Sequence, residues 1–298
     1  MSRLIDSILI PTDGSEGALA GAKRAIALAS RTNADVHVLS VVAVRSDLEE
    51  GTDAAESLYA SLEAEAEDAV ETVAEMARSA DAEVTTAVTR GTPFQSIREY
   101  ATRREIDVIA MGTKGRTGLD RVLLGSVTEN VLRTTRTPVL AVPPNADATE
   151  IDNVAFEEFL LPTDGSDGAA IAADWGIALA SRLESMVHAV YSVDTSRVSR
   201  AKAPDELLDA LEDSGEDALE TVREHARSAD VSVSGAVATG PPADVILTTA
   251  GERDVDLIVM GTHGRTGIGQ WFLGSVTENV VRQADVPVFC VPVSAETP

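Results

Sequence analysis

The chain repeats itself once, and this limits its fold more than anything else in the sequence. Ile10-Pro-Thr-Asp13-Gly-Ser15 returns as Leu161-Pro-Thr-Asp164-Gly-Ser166, at an offset of 151. Residues 112–131 and 261–280 agree at 14 of 20 positions, at an offset of 149. A period close to the length of one domain predicts a duplicated domain and not a solenoid of short units. At 298 residues each copy is long enough to bury a core of its own. We therefore expect a first domain over 1–143, a polar linker over 144–153 and a second domain over 154–298.

Within each copy, short β-type apolar runs alternate with longer helical ones. Strands are expected near 7–10, 36–42, 83–89, 107–111 and 138–142, then near 159–161, 187–193, 231–238, 256–260 and 287–291. Five strands alternating with four helices predict an α/β fold of two tandem, doubly wound, five-stranded parallel sheets, flavodoxin- or Rossmann-like, with strand order 3-2-1-4-5. The last strand of each copy is short, apolar and expected at a sheet edge, which needs cover. In the first copy Leu58, Leu62, Ala66, Ala69, Val73 and Met76 recur at helical spacing, and the Glu- and Asp-rich opposite face is expected to be solvated.

Composition excludes several functions. The chain has 49 acids against 24 bases, both halves are acidic, and such a surface repels polyphosphate backbones and anionic lipid. No nucleic acid and no membrane is expected as a partner. Lys23, Lys114 and Lys202 are the only lysines, a composition expected of a protein suited to high ionic strength. No apolar run approaches membrane-spanning length, and Met1–Ser7 offers no signal-like segment, so a cytoplasmic address is expected. The single cysteine, Cys290, permits no internal disulfide and reads as a core residue.

The residues that carry chemistry fall where strands end. In an open α/β sheet, ligands bind beyond the carboxyl ends of the strands, where strand order reverses. Asp13 ends the first strand, and Gly112 and Gly115 follow the fourth; after nine intervening residues Gly125-Ser126 opens a helix. Glycines let a ligand approach the backbone, and a helix start supplies unpaired N–H groups and partial positive charge, a combination suited to a polyphosphate. Lys114, Arg116 and Arg121 against Asp120 form a basic island, with His263 and Arg265 in the second copy. A blander reading stands beside this one. Ser126 with Glu129, and Ser275 with Glu278, fit a capping box, and each aspartate fits a turn before the next helix. No Walker-type P-loop and no G-x-G-x-x-G after a strand occurs.

The spacing Gly112-x2-Gly115-x9-Gly125-Ser126, with Pro-Thr-Asp13 at the first strand end, resembles the ATP-binding branch of the universal stress protein family. Both halves carry the likeness. The resemblance implies adenine held by backbone groups near Thr12 and Val41, ribose near Asp13 and Gly112, and phosphates on Gly115, Gly125, Ser126 and Val127. The matching second-copy positions are Thr163, Ser192, Asp164, Gly261, Gly264, Gly274, Ser275 and Val276. It also implies ATP, or else ADP or AMP, as the ligand, with Mg2+ or Mn2+ carried by the phosphates. The two domains are expected to pair as an internal pseudo-dimer, with a homo-oligomer and an unidentified protein partner as further expectations.

Ser192 stands where the first copy has Val41, and His263 where it has Lys114, so two sites of unequal strength are expected, the second pH-dependent. No base beside a terminal phosphate is evident: His37 and His188 lie in strands, and His225 lies on an acidic helix without metal-ligand spacing. A regulatory nucleotide-binding module with little or no turnover leads. The rivals are a weak ATPase or phosphate donor, and a scaffold without nucleotide.

Overall fold

A computed structural model describes residues 4–44, 53–115, 124–144, 146, 150–195, 204–264 and 273–298. The chain divides into two compact units, Met1–Val154 and Ala155–Pro298. In the first, β1 (Ser7–Pro11), α1 (Glu16–Thr32), β2 (Asp35–Ala43), α2 (Asp53–Ser79), β3 (Val84–Gly91), α3 (Pro93–Arg103), β4 (Val108–Gly112), α4 (Ser126–Thr134) and β5 (Val139–Val142) alternate along the chain. The strands lie in the order β3-β2-β1-β4-β5, and the pairs β2–β3, β1–β2, β1–β4 and β4–β5 are parallel. The chain thus runs outward from β1 to β3 and returns to begin again at β4. The order reverses between β1 and β4, as the alternation of strands and helices predicts.

The second unit repeats the plan with β6 (Glu158–Thr163), α5 (Asp167–Leu183), β7 (Met186–Val193), α6 (Pro204–Ser228), β8 (Val233–Thr239), α7 (Pro242–Glu252), β9 (Leu257–Gly261), α8 (Ser275–Gln283) and β10 (Val288–Val291). Its order is β8-β7-β6-β9-β10, again with parallel pairs. Between the two plans, Ile151–Asn153 forms a single 3-10 turn, and Ala146 and Val154 are buried.

The central strands are apolar on both faces because helices cover both. Ile8, Leu9, Ile10, Val108 and Ile109 are fully buried, as are Phe159, Leu160, Ile258 and Val259 in the second unit. Cys290 is buried too, and burial pushes its thiol up to about 12, so it stays protonated and packs as a small apolar residue. Trp175 is buried with its ring 5.9 Å from Phe289, and its indole N–H donates to Glu296 O at 2.9 Å. Trp271 lies outside the described residues. Among those described, no helix is long and apolar enough to cross a membrane.

The buried stripe of α2 differs from the expected one. Of the expected residues Ala66, Ala69 and Val73 are buried and Leu62 packs against them, but Ala55, Tyr59, Val70 and Ala77 also face inward, whereas Leu58 is 38% exposed. Small residues bring the helix close to the sheet, and Tyr59 takes the inward place one position from the leucine; Arg90 covers its ring at 4.8 Å. Leu58 and Tyr59 both fit the three- and four-residue spacing between Ala55 and Leu62, and packing against the sheet takes Tyr59.

His37, half-buried in β2, sits edge-on to Tyr100 with its Nδ1 3.1 Å from the phenol oxygen. Burial first, and the Arg104 guanidinium second, hold its pKa below the ordinary imidazole value of 6.5, with Asp35 opposing them. Burial raises the Tyr100 phenol, which stays protonated beside the ring. The unfolded chain therefore binds this proton more readily than the folded one. The associated stability is complete above the ordinary value and is lost as pH falls through the folded value. Urea denaturation at about pH 7.5 and about pH 5.5 should show a smaller acid-side loss for His37→Gln than for the parent. Equal losses would remove His37 from the acid response.

Candidate functional site

The reversal between β1 and β4 opens a cleft of about 230 Å3. Thr12 and Asp13 leave β1, Val41 comes from β2, Gly112 ends β4, Gly115 follows it, and Gly125, Ser126 and Val127 begin α4. All eight first-copy candidates line this cleft. Lys114 lines it as well, while Arg116, Asp120, Arg121 and Arg265 lie outside the described residues.

Two helices start near the cleft, and their N-termini differ. At α1, Ser15 is the cap: its hydroxyl accepts from Ala18 N at 3.2 Å, and Asp13 Oδ1 accepts from Ser15 N at 3.0 Å and from the Ser15 hydroxyl at 2.5 Å. At α4, the cap is Gly125, which has no side chain to offer, and the first intrahelical bond runs from Glu129 N to Gly125 O at 2.9 Å. The capping-box expectation therefore fails in both copies. Ser126 and Ser275 are the first helical residues and not caps, and Gly125 and Gly274 hold that place without a side-chain hydrogen bond. Glu129 and Glu278 instead pair one turn on with Arg133 at 2.7 Å and Arg282 at 2.6 Å. The first-turn amides of α4, on Ser126, Val127 and Thr128, are thus left without a side-chain cap on the cleft wall, as an anion-binding helix start requires.

Strand ends and loop are locked together by backbone. Gly125 N donates to Thr113 O at 2.8 Å, Thr113 N donates to Val142 O at 2.8 Å, and the Thr128 hydroxyl donates to Gly112 O at 2.8 Å. Asp13 performs the expected turn role through Oδ1, while Oδ2 faces Gly115, where an added Cβ would lie 2.9 Å away. The carboxylate and the loop glycine therefore meet across the reversal.

The second unit repeats these contacts around its own candidates. Asp164 Oδ1 accepts from Ser166 N at 3.0 Å, and a Cβ on Gly264 would lie 2.6 Å from Asp164 Oδ2. Gly274 N donates to Thr262 O at 2.8 Å, and the Thr277 hydroxyl donates to Gly261 O at 2.8 Å. Thr163 ends β6, and Ser275 and Val276 begin α8. Ser192 turns its hydroxyl onto Gly240 O at 2.8 Å, so the polar atom is satisfied within the sheet. His263 places Nδ1 2.9 Å from the Thr262 hydroxyl.

The sequence reading missed the apolar side of the first cleft, formed by Leu39, Met111, and Pro93 and Ile97 of α3. A signal for it exists: Gly91-Thr-Pro93 and Gly240-Pro-Pro242 repeat at an offset of 149, each placing a proline at the first turn of a helix. The remaining histidines lie elsewhere. His188 bonds Glu158 and Ser234, each at 2.7 Å, and His225 bonds Asp174 at 3.0 Å. No group of three or more His, Cys, Asp or Glu among the described residues is arranged to hold a metal.

Fold and cleft define a class: doubly wound α/β domains with a largely backbone-built cleft at the strand-order reversal. The universal stress protein family model matches residues 5–143 and 155–292, and the chain belongs to that family as a tandem member. Universal stress protein MJ0531 of Methanocaldococcus jannaschii is 38% identical over 140 residues, covering 47% of this chain and 82% of that protein. Universal stress protein YxiE of Bacillus subtilis is 30% identical over 146 residues, covering 46% and 99%. Among solved structures, a universal stress protein from Archaeoglobus fulgidus matches 97% of this chain and 98% of its own with a TM-score of 0.73, at 22% identity, a likeness of fold.

Proposed function

We propose that each unit binds an adenine nucleotide, ATP foremost, and that the protein acts as a nucleotide-responsive regulatory module with little or no turnover. The carrying observation is the uncapped start of α4 on the wall of a cleft that also holds Asp13 and Lys114. Phosphates fit the amides of Ser126 and Val127 and the bare backbone of Gly115 and Gly125. The sugar hydroxyls fit Asp13, since a carboxylate accepts from hydroxyls and repels phosphate. The base fits the apolar side, against Val41, Met111 and Ile97. Among the described residues Asp13 is the only carboxylate on the cleft wall, so Mg2+ or Mn2+ would be held chiefly by the nucleotide's own phosphates. The same residue is tied to Ser15, which favours binding over base catalysis.

A ligand bound by the native state alone raises its stability by about 2.7 kcal/mol at a hundred times its dissociation constant. Melting the full chain with excess ATP and magnesium in molar KCl should therefore raise the melting temperature by several degrees, about 2–4 °C per kcal/mol for units of this size. Isothermal titration should resolve two steps, the weaker one assigned to the unit that carries Ser192 and His263. No shift and no heat with ATP, ADP or AMP would end this reading in favour of a scaffold.

A further inference from the structure

A groove of about 350 Å3 opens between α5 and α6 of the second unit, lined in part by the turn that follows β6. Its polar side chains are Thr163, Ser166, Ser214, Asp217, Thr221 and His225. The Ser214 hydroxyl donates to Ala210 O at 2.8 Å and the Thr221 hydroxyl to Asp217 O at 3.1 Å, so both oxygens offer lone pairs to the outside. Between them, one turn from each, stands Asp217. Its neighbours Glu216 and Glu220 are engaged by Arg223, and Glu220 also by Arg227, whereas Asp217 has no ion-pair partner among the described residues. His225 closes one end, oriented across the helices by Asp174 at 3.0 Å. Among the described residues, Asp217 is the one fixed charge in the lining, and it is negative.

The duplication supplies an internal comparison. At the matching positions the first copy carries Leu19 for Ala170, Lys23 for Asp174, Glu65 for Ser214 and Met76 for His225, while Asp68 and Thr72 match Asp217 and Thr221. Thr72 makes the same helix bond to Asp68 O, at 2.8 Å. The second copy has thus kept its acceptor pair, shortened two of the side chains around it, and exchanged a cation for an anion. Ala170, Ala173 and Ala218 leave the intervening space open. The Asp217 carboxylate and the Ser214 and Thr221 lone pairs suit a small guest rich in N–H donors and positively charged.

We infer that this groove is a second ligand site, for a small aliphatic diamine or comparable organic cation, with the ammonium held by the Asp217 carboxylate and the Ser214 and Thr221 oxygens. The test is isothermal titration of the full chain with 1,4-diaminobutane at fixed ionic strength, with 1,4-butanediol as the neutral control. We expect saturable binding of the diamine at one site and none of the diol. Asp217→Asn should weaken the diamine by about tenfold or more, the loss of one charge-assisted contact. Ala170→Leu with His225→Met installs residues the first copy already accommodates, and should abolish diamine binding without altering the nucleotide-induced melting shift. Absence of saturable binding overturns the inference. So does binding that survives both variants, which would mark diffuse attraction to the acidic surface. Nucleotide binding is read separately, so neither reading's failure masks the other's.

Discussion

Gly125→Asp should strip the first unit of nucleotide while leaving the chain folded. Gly125 caps α4 with φ −61° and ψ 136°, a conformation any residue adopts, so no backbone strain opposes the change. An aspartate here becomes an ordinary N-cap whose carboxylate reaches the amides one or two residues into the helix. That substitution stabilises the helix by a few tenths of a kcal/mol over glycine. Crowding opposes it, because the new Cβ would come 3.1 Å from Thr113 O and the strand end must give by a little. The two effects nearly cancel in stability. They do not cancel in binding. The carboxylate occupies the amides of Val127 and Thr128 and sets a negative charge where a phosphate must enter. Losing the Val127 contact, a charge-assisted hydrogen bond worth about 1.5–3 kcal/mol, lowers affinity at least about tenfold, and repulsion between the new carboxylate and the phosphate lowers it further. Gly274→Asp should act likewise in the second unit, where the same 3.1 Å separates a Cβ from Thr262 O. Titration with ATP should then find one site in either single variant and none in the double. A double variant that binds at parental strength would remove the α4 and α8 starts from the nucleotide site.

Most of this cleft was legible because each of its parts is a backbone requirement written as a residue type. Glycine at 112, 115 and 125 marks bare backbone, and Asp13 at a strand end marks a turn. The order of strands brings the two segments together. What misled was register. Ser126-x-x-Glu129 has the spacing of a capping box, but Gly125 is extended and already accepts the first helical bond, so the helix begins one residue earlier than the box requires. Glu129 is then drawn to Arg133 across the helix surface. The apolar wall stayed hidden for another reason: Pro93 and Ile97 reach the cleft only because α3 returns across the sheet, a long-range fact that local pattern does not carry. The buried face of α2 shows the same limit on a smaller scale, since Tyr59 displaces Leu58 through the fit of alanines against the sheet.

The largest stability effect should come from Gly112→Ala. At the end of β4, Gly112 and Gly17 of α1 face each other so closely that a Cβ on Gly112 would fall on Gly17 O and lie 3.2 Å from Ala18 N. A Cβ on Gly21, one turn along α1, would lie 2.7 Å from Gly112 N. All of these neighbours are backbone, so no side chain can swing aside. The methyl must push α1 off the sheet, although that helix buries Ala18, Ala22, Ala25 and Ile26 there. Overpacking of this kind costs about 3 kcal/mol. For a unit near 150 residues that is about 6–12 °C in melting temperature. The second copy gives the comparison, because a Cβ on Gly261 meets Gly168 O at 2.7 Å and Gly168 C at 3.0 Å, a looser fit. Gly261→Ala should therefore cost less, about 1–2 kcal/mol. Circular dichroism melts of the two variants decide it: equal losses, or none at Gly112, would show that α1 rides on the sheet with slack. The link to function is direct, because Gly112 closes the strand whose next residues bind Gly125 and face Asp13. A helix displaced here also moves the carboxylate at its own N-terminus, so the variant should lose nucleotide together with stability, whereas Gly125→Asp separates the two.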